Sequence, residues 1–536
     1  MHRATPEVPG APLGRPLSGG LSLRRVVCTQ ATPGELSSLL QPRDGIVRES
    51  AGVQAGLDEW RFGLAAGPVA SYERVVRTSG DTVTQEVRFR VGIPYVSWLF
   101  ALPLRAHLGS LRGGRPAPWW APPALLDHAE AAGLSGLCGL AVLAGYLNSL
   151  LPATVTYVGR QYHVGDAGQG YALASVQAGA LLAVGLLVFA DRRGRRRGAI
   201  TATVAGAAVS ALGALAPSLS AVALTQVAAL ALLTTQYVLV GILVVEVMPA
   251  GARAWALALV TMSYGLGGGI TLLVLPLAGL GPGGWRWTYA VAALGVPACL
   301  LLAEHVPESG RWTREMAPAG HRLRASWTPA QRRRLAVLGA GALLFAVFSL
   351  PSAQFQNQYL RVQRHWSAVH ISIAEQVVGT VGGLGTLAGG RLADTRGRRP
   401  VLALAVVAGT GFTVLEYFGH GVALYLWMTA SSVLGYAVAP VLGVYGAELF
   451  PTTLRGRAGG ILNVVAAGGG LAGLAVTGAL GTGLGTLGPA LSVVAVGPVL
   501  LVVLVLLAYP ETARRPLEEL NPADTAVSDA PPDPTQ

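Results

Sequence analysis

Twelve long apolar runs dominate the sequence and limit the folds that the chain can adopt. Each run is close to the ~20 residues that a helix needs to cross a bilayer. Hydrophobic residues make up 52% of the 536 residues and charged residues only 12%, about half the charge of a typical soluble protein. Because so few charges cannot cover the surface of a soluble fold this large, we predict an all-α integral membrane protein. The runs lie at 133–156, 169–190, 198–217, 220–246, 256–279, 286–304, 335–358, 369–391, 400–418, 421–447, 457–482 and 487–508.

Composition divides the chain into six segments. Residues 1–20 are rich in Pro, Gly and Ala and are expected to be disordered, and 21–132 are predicted to form a small cytoplasmic α+β extension with a connector. Within the extension, two strand-like segments flank Ser79-Gly80-Asp81, which is typical of a β-hairpin. The remaining segments are two six-helix halves at 133–304 and 335–508, a cytoplasmic central loop at 305–334, and a cytoplasmic tail at 509–536.

The placement of arginine predicts the orientation of the spans. Every basic residue is Arg, and with the N-terminus inside, the cytoplasmic loops and tail that follow the extension carry 21 of them. The loops on the opposite side carry four, which are Arg160, Arg286, Arg361 and Arg364. Since cytoplasmic loops are enriched in Lys and Arg, we predict a multi-pass plasma membrane protein with both termini cytoplasmic. The same asymmetry explains most of the net charge of +12, so the charge does not indicate nucleic-acid binding.

Three short motifs occur twice in the chain. The first joins an Asp to a Gly-Arg-Arg cluster, the second is Glu-x-x-Pro-x-x-x-Arg, and the third is Pro-Glu-Ser or Pro-Glu-Thr. The two copies of each motif are separated by 203, 202 and 203 residues, respectively. Three pairs in the same order at one offset indicate two halves related by parallel duplication. The copies begin at Asp191 and Asp394, at Glu246 and Glu448, and at Pro307 and Pro510.

These motifs resemble those of the major facilitator superfamily, within it the sugar-porter-like branch that includes organic cation and metabolite transporters. Gly390-Arg-Leu-Ala-Asp-Thr-Arg-Gly-Arg-Arg-Pro400 is similar to the signature loop between the second and third helices of a half. Tyr445-Gly-Ala-Glu-Leu-Phe-Pro-Thr-Thr-Leu-Arg-Gly456 resembles the segment after the tenth helix. The resemblance covers about 133–520. It implies twelve transmembrane helices in two halves and secondary active transport of a small organic solute by alternating access, with proton symport as one option.

The resemblance also implies a cytoplasmic gating network that holds the halves together when the cavity opens outward. Arginines and carboxylates at helix ends can form bidentate pairs. We predict that the paired arginines of each half reach the two glutamates of that half, and that the single arginines join these clusters. The alternative is that these charges serve only topology and solubility. The predicted network comprises Asp191, Arg195, Arg196, Glu246, Arg253, Glu308, Asp394, Arg398, Arg399, Glu448, Arg455 and Glu511.

Polar side chains inside the spans are the candidates for solute binding, because transporter sites lie near the bilayer midplane between the halves. Amides and phenols can donate and accept hydrogen bonds and suit hydroxyl-rich or zwitterionic solutes. The alternative for each candidate is a hydrogen bond between helices. The candidates are Asn148, Gln177, Gln236 and Tyr264 in the first half and Gln354, Asn357, Gln376 and Tyr436 in the second.

Proton coupling needs a carboxyl inside the bundle. Proton-coupled sugar porters have an acid in the first helix, where this chain has Asn148, so neither sugar specificity nor the usual coupling acid is predicted. Glu375, inside the eighth run, is the candidate because a carboxyl in a low-dielectric cavity can exchange protons near neutral pH. Glu416 lies near an outer helix end. The alternative for Glu375 is a solvent-reaching glutamate at a helix end.

The sequence leaves one main alternative to a transporter, namely a non-transporting membrane sensor or scaffold that signals through the N-terminal extension. Motifs present in both halves favour the transporter, because a static receptor needs no two-state network. A membrane-embedded enzyme would need a catalytic cluster, and the sequence shows none. The three cysteines lack metal or redox spacing. We therefore predict no enzyme activity, cofactor or metal, and a monomer whose partners are the bilayer, a small organic solute and, under symport, protons.

Overall fold

The computed structural model describes residues 21–30, 32–80, 82–91, 97–110, 117–310 and 327–522. Contacts between residues divide the chain into two units. The first comprises Met1–Pro116 with Leu125–Ser135, and the second comprises Ala117–Ala124 with Gly136–Gln536. The segment expected to be disordered, half of the predicted central loop and the end of the predicted tail lie outside the described residues.

The first unit contains an antiparallel sheet, which in its described residues has six strands in the order β1-β6-β5-β4-β2, with β3 paired to β4. Strands β5 and β6 pair along their length, which confirms the predicted hairpin. Gly80 in the connecting turn has φ of +59°, a conformation that favours glycine; Asp81 lies outside the described residues. The elements are β1 (Leu21–Gln30), α1 (Pro33–Leu39), β2 (Arg48–Glu49), β3 (Val53–Gly56), β4 (Glu59–Ala66), β5 (Val69–Ser79), β6 (Thr82–Val91) and α2 (Ser97–Leu108).

A buried ion pair joins Glu49 of strand β2 to Arg74 of strand β5. The guanidinium of Arg74 on β5 donates to Glu49 Oε2 at 2.6 Å and to the Leu39 carbonyl at 2.7 Å. The Tyr72 hydroxyl donates to Glu49 Oε1 at 2.6 Å. Burial, together with the nearby Glu49 carboxylate, raises the pKa of Tyr72, so the phenol stays protonated and continues to donate. A buried charge with this many partners is tolerated because its lost hydration is replaced.

From His128 onward the chain is helical, and within the described residues twelve segments are long and apolar enough to cross a membrane. They are numbered here as spans 1 to 12, and spans 2, 6, 10 and 12 each consist of two consecutive helices. The helices are His128–Gln161 (span 1), Asp166–Val176 and Ala178–Arg193 (span 2), Arg195–Leu212 (span 3), Leu219–Val247 (span 4), Arg253–Val274 (span 5), Trp285–Ala292 and Gly295–Ala303 (span 6), Pro329–Gln358 (span 7), Ala368–Arg396 (span 8), Arg398–Glu416 (span 9), Gly421–Gly435 and Val438–Glu448 (span 10), Arg455–Leu484 (span 11), Leu487–Val494 and Val496–Ala508 (span 12), and a final short helix at Leu517–Leu520.

The start of span 1 differs from the predicted boundary at residue 133. The helix begins at His128, and Glu130 lies in its first turn. Glu130 Oε2 accepts from the Asp127 amide at 2.9 Å, and Asp127 Oδ1 accepts from the Glu130 amide at 2.7 Å. This reciprocal cap stabilises a polar first turn. A prediction based on apolar runs missed this turn because it contains acidic residues.

Glycines allow equivalent helices of the two halves to pack backbone to backbone. A Cβ atom at Gly267 of span 5 would lie 2.0 Å from the Val142 carbonyl oxygen of span 1. A Cβ atom at Gly473 of span 11 would lie 2.0 Å from the Val347 carbonyl oxygen of span 7. Small residues are what membrane helices use for such close contact. The matching pairs, 1 with 5 and 7 with 11, agree with the duplication inferred from the motifs.

Candidate functional site

Two sharp turns direct the first arginine of spans 3 and 9 into the bundle. Gly194 and Gly397 precede these spans, and both have φ of +106°. L side chains rarely adopt this backbone conformation, so the position favours glycine. Arg195 and Arg398 follow as the first helical residues, and both are fully buried. The Gly-Arg spacing of the repeated motif therefore places a guanidinium inside the protein.

Each of these arginines pairs with the glutamate near the end of the fourth span of its own half, which is span 4 or span 10. Arg195 donates to Glu246, and Arg398 donates to Glu448. Arg398 also pairs with Asp394 Oδ1 at 3.2 Å, across the turn at Gly397 that separates spans 8 and 9. The side chains of these pairs are excluded from solvent, so they interact more strongly than exposed charges would.

A second arginine reaches each glutamate from the other half. Arg253, the first residue of span 5, donates to Glu448 Oε1 at 3.0 Å. Arg455, the first residue of span 11, donates to Glu246. Each glutamate thus binds one arginine of its own half and one of the opposite half. The sequence predicted that these two arginines would join the clusters but did not predict this reciprocal exchange.

Further contacts close this end of the bundle, which we call the motif end because it carries the repeated motifs. The backbone amide of Trp255 in span 5 donates to Asp394 Oδ2 at 2.8 Å. Arg195 donates to the Thr452 carbonyl at 2.6 Å. A Cβ atom at Gly390 of span 8 would lie 2.6 Å from Ala258 of span 5. The two halves are therefore in direct contact at the motif end.

The second glutamate of each half does not form the predicted ion pair with an arginine side chain. Glu308 accepts from the Arg196 amide at 3.1 Å, and Glu511 accepts from the amides of Arg398 and Arg399 at 3.0 and 3.1 Å. Burial would raise the pKa of Glu511, but these N–H donors hold it below its ordinary value. Both carboxylates instead cap the N-terminus of a helix, where the helix dipole favours negative charge.

The remaining members of the predicted network are Asp191 and Arg399. Asp191 lies in span 2, but its side chain is outside the described residues. Arg399 makes no ion pair through its side chain within the described part of the chain. Two hydroxyls that were not predicted from the sequence also lie in this network: Thr512 accepts from Arg398 at 2.8 Å, and Ser309 lies beside the Glu246 carboxylate. Their signal was present in the sequence, since both are the last residue of the third repeated motif.

The segment Ala117–Ala124 also contacts both halves at the motif end. The Trp255 indole of span 5 donates to the Trp120 carbonyl at 3.2 Å. Arg391 of span 8 donates to the Ala121 carbonyl and, at 3.3 Å, to the Ala117 carbonyl. This segment follows the N-terminal unit in the chain, and its composition alone did not indicate such a role.

In the first half, the structure brings some of the polar candidates together. The hydroxyl of Tyr264 lies near Asn148, and its ring lies 5.6 Å from that of Tyr237. Gln236 is fully buried, and neither polar atom of its amide has a partner within the described residues. Gln177 is exposed at the break in span 2. Asn148, Gln236 and Tyr264 remain candidates inside the half, whereas Gln177 lies apart from them.

In the second half, the polar candidates are not gathered into one enclosed site. Gln354, Asn357 and Gln376 are exposed, and no hydrogen bond between any two of the four candidates is present in the described ranges. Tyr436 is also exposed and lies at the break in span 10, where its ring approaches Gly382 of span 8. Glu375 is half-buried. Within the described residues, no group of three or more His, Cys, Asp or Glu could hold a metal ion.

Comparison with known families decides the classification. The family model described as Major Facilitator Superfamily matches residues 137–413 and 357–529, more than half of the chain. The chain belongs to the Major Facilitator Superfamily. The resemblance read from the repeated motifs is therefore confirmed at the level of the superfamily. A search of curated proteins finds no match.

Solved structures confirm the fold, with twelve spans in two halves. The E. coli proton:xylose symporter XylE is 17% identical, covers 74% of this chain and 99% of its own, and gives a TM-score of 0.62. The human organic anion transporter MFSD10 is 15% identical over 70% of this chain and 99% of its own, with a TM-score of 0.59. The E. coli fucose:proton symporter FucP is 14% identical over 70% and 98%, with a TM-score of 0.57. At these identities the similarity describes the fold of this superfamily member and not its solute.

Proposed function

We propose that this superfamily member is a secondary active transporter that moves a small organic solute by alternating access. The observation that carries the proposal is the reciprocal exchange at the motif end, where Arg253 binds Glu448 and Arg455 binds Glu246. Pairs that cross between the halves exist only while this end is closed, whereas the pairs within each half can persist when it opens. Such a network suits a protein with two discrete states.

Burial makes this network strong enough to bias the two states. An exposed ion pair contributes roughly 0–1 kcal/mol. Removing one partner of a buried pair costs about 3–5 kcal/mol, because the other charge is left without compensation. Glu246 and Glu448 each bind two arginines with side chains excluded from solvent. We infer that breaking the cross-half pairs is the main cost of opening the motif end.

The proposed orientation puts the motif end and both termini in the cytoplasm of a plasma membrane protein. It rests on the bias of arginine toward the loops at this end and on the general enrichment of cytoplasmic loops in basic residues.

We expect Thr395, exposed at the motif end, to be inaccessible from outside the cell. A cysteine there, in a variant without the exposed Cys28, should react with an impermeant maleimide only after permeabilisation. A cysteine at exposed Leu280, between spans 5 and 6, should react in intact cells. Efficient labelling at Thr395 in intact cells would reject this topology.

The polar groups in the first half favour a solute that both donates and accepts hydrogen bonds. Tyr264 and Asn148 form one such group, and the buried amide of Gln236 would gain bonds that it lacks in this structure. Hydroxyl-rich and zwitterionic solutes fit this chemistry. The similar structures include a xylose symporter, a fucose symporter and an organic anion transporter, which supports a small solute without selecting among these classes.

Solute counterflow in proteoliposomes tests the function. A thermal-shift screen of the purified protein with sugars, amino acids, amines and organic acids first identifies stabilising solutes. We expect at least one of them, radiolabelled, to accumulate transiently against excess unlabelled solute inside the vesicles. Arg398→Gln should lose this counterflow, whereas Arg399→Gln, which changes the adjacent residue of the same type, should retain most of it. Stabilisation by a solute without any counterflow would instead favour a non-transporting sensor or scaffold.

A further inference from the structure

A buried carboxyl at the end of span 9 lies outside the repeated motifs. Glu416 is only 2% exposed. Its Oε1 accepts from the Gln356 amide of span 7 at 2.6 Å, and its Oε2 lies 3.0 Å from the Ser431 hydroxyl of span 10. Three spans of the second half thus enclose one ionisable group, at the end of the bundle opposite the motif end.

No cation neutralises this carboxyl within the described residues. The ionisable groups close enough to interact with it are Glu375 of span 8, which would repel a charge there, and the phenols of Tyr359 and Tyr417. The guanidinium of Arg364 donates to the Tyr359 hydroxyl at 2.7 Å and not to this carboxyl. Since burying a carboxylate without a counter-charge is costly, the surroundings of Glu416 favour its neutral form. The motif-end glutamates differ in this respect, because each binds two arginines.

Hydrogen-bond geometry around Ser431 leads to the same conclusion. Its hydroxyl oxygen lies 2.9 Å from the Met428 carbonyl and 3.0 Å from Glu416 Oε2. The hydroxyl has one proton and can donate to only one of these two acceptors. If it donates to Met428, Glu416 Oε2 can complete the network only by carrying a proton and donating to Ser431. If Glu416 is ionised, the hydroxyl turns to the carboxylate and the Met428 carbonyl loses this bond. The site therefore has two arrangements that differ by one proton.

We propose that Glu416 is a proton-binding site, protonated in the closed surroundings seen here and exchanging its proton when movement of spans 7, 9 and 10 admits water. Glu416 thus takes the role that the sequence predicted for Glu375. Glu375 is half-buried and has no hydrogen-bond network of this kind in the described structure. A charge on Glu375 would instead make the loss of the proton from Glu416 less favourable. The part of the proposal that links this proton to solute movement rests on the proposed transport function, whereas proton binding itself does not.

Infrared titration of the purified full-length protein tests the site without any solute. The carbonyl stretch of a protonated carboxyl is followed from about pH 5 to about pH 9. We expect a component that remains near neutral pH in the unmodified protein and is absent in Glu416→Gln. In Glu375→Gln the component should still be present, but the pH at which it disappears should be lower by about one unit. The charge that disfavours ionisation of Glu416 is then gone. In Ser431→Ala it should disappear at higher pH, because the ionised form loses a donor.

The glutamine variant also serves as a folding control. A glutamine at position 416 can accept from Gln356 and donate to Ser431, which reproduces the protonated arrangement. Its thermal unfolding temperature should therefore match that of the unmodified protein near neutral pH and exceed it at alkaline pH. A component that survives Glu416→Gln, or that is lost only in Glu375→Gln, overturns the proposal. So does a variant that is less stable at every pH, since Glu416 would then be ionised. None of these results would contradict the transport proposal. An absence of counterflow would likewise not contradict the proton-binding site.

Discussion

Replacing Glu448 with glutamine is expected to open the motif end and to impair transport strongly, while the protein still inserts into the membrane. Glu448 binds Arg398 of its own half and Arg253 of the other half. Losing one partner of a buried pair costs about 3–5 kcal/mol, and each 1.4 kcal/mol is about tenfold in an equilibrium. The part of this cost that comes from losing the Arg253–Glu448 pair applies to the closed state alone, because that pair crosses between the halves. The ratio of closed to open protein should therefore fall by about tenfold or more.

A buried cysteine between the halves measures this opening. Ala258 is fully buried opposite Gly390, so a cysteine there, in a variant without the native cysteines, should react with a maleimide only when the motif end opens. Its labelling rate should rise about tenfold or more with Glu448→Gln. The matched control is Glu519→Gln, because Glu519 forms an exposed pair with Arg515 at 3.7 Å, and such pairs contribute little. Equal labelling with and without Glu448→Gln would contradict the role of this residue in closing the bundle.

Alanine at Gly267 or Gly473 is expected to destabilise the half that contains it. At either position the added Cβ would lie 2.0 Å from a backbone carbonyl oxygen of the neighbouring span, so the two helices must move apart. Overpacking of this kind costs about 1–3 kcal/mol or more. The thermal unfolding temperature of the purified variants, and the fraction that remains monodisperse after heating, should both fall.

Two other glycines on the same helices provide controls. At Gly265 on span 5 and Gly468 on span 11, an added Cβ atom would meet no described residue beyond its own helix within 4 Å. Alanine there should be neutral or slightly stabilising, because alanine favours a helix over glycine by about 1 kcal/mol. If Gly265→Ala were as damaging as Gly267→Ala, close packing between spans 1 and 5 would not explain the effect.

The twelve spans and the duplication could be predicted from the sequence because both depend on residues that are near one another in the chain. A span requires about 20 apolar residues in succession, and hydropathy within one segment shows this. The repeated motifs are equally local, and their constant offset was enough to infer two halves. Local patterns failed at helix ends such as Glu130, where capping hydrogen bonds continue the helix into a polar sequence.

The partners of the charged residues were decided by the tertiary structure. The sequence predicted that Arg253 belonged to a charged cluster, but the carboxylate it binds is Glu448 in the other half. Glu308 and Glu511 were predicted to meet arginine side chains, and they bind backbone amides instead. A residue pattern shows that a charge lies at a helix end, but it does not show which distant segment packs against that end.

The difference between Glu375 and Glu416 has the same cause. Both are carboxyls near a helix end in the second half, and the sequence favoured Glu375 because it lies within a span. The hydrogen-bond partners of the Glu416 carboxyl are Gln356 and Ser431, which belong to two other spans. Whether a carboxyl keeps its proton depends on the water, charges and hydrogen-bond donors around it. Those surroundings come from segments far away in the chain, so only the packed bundle could reveal them.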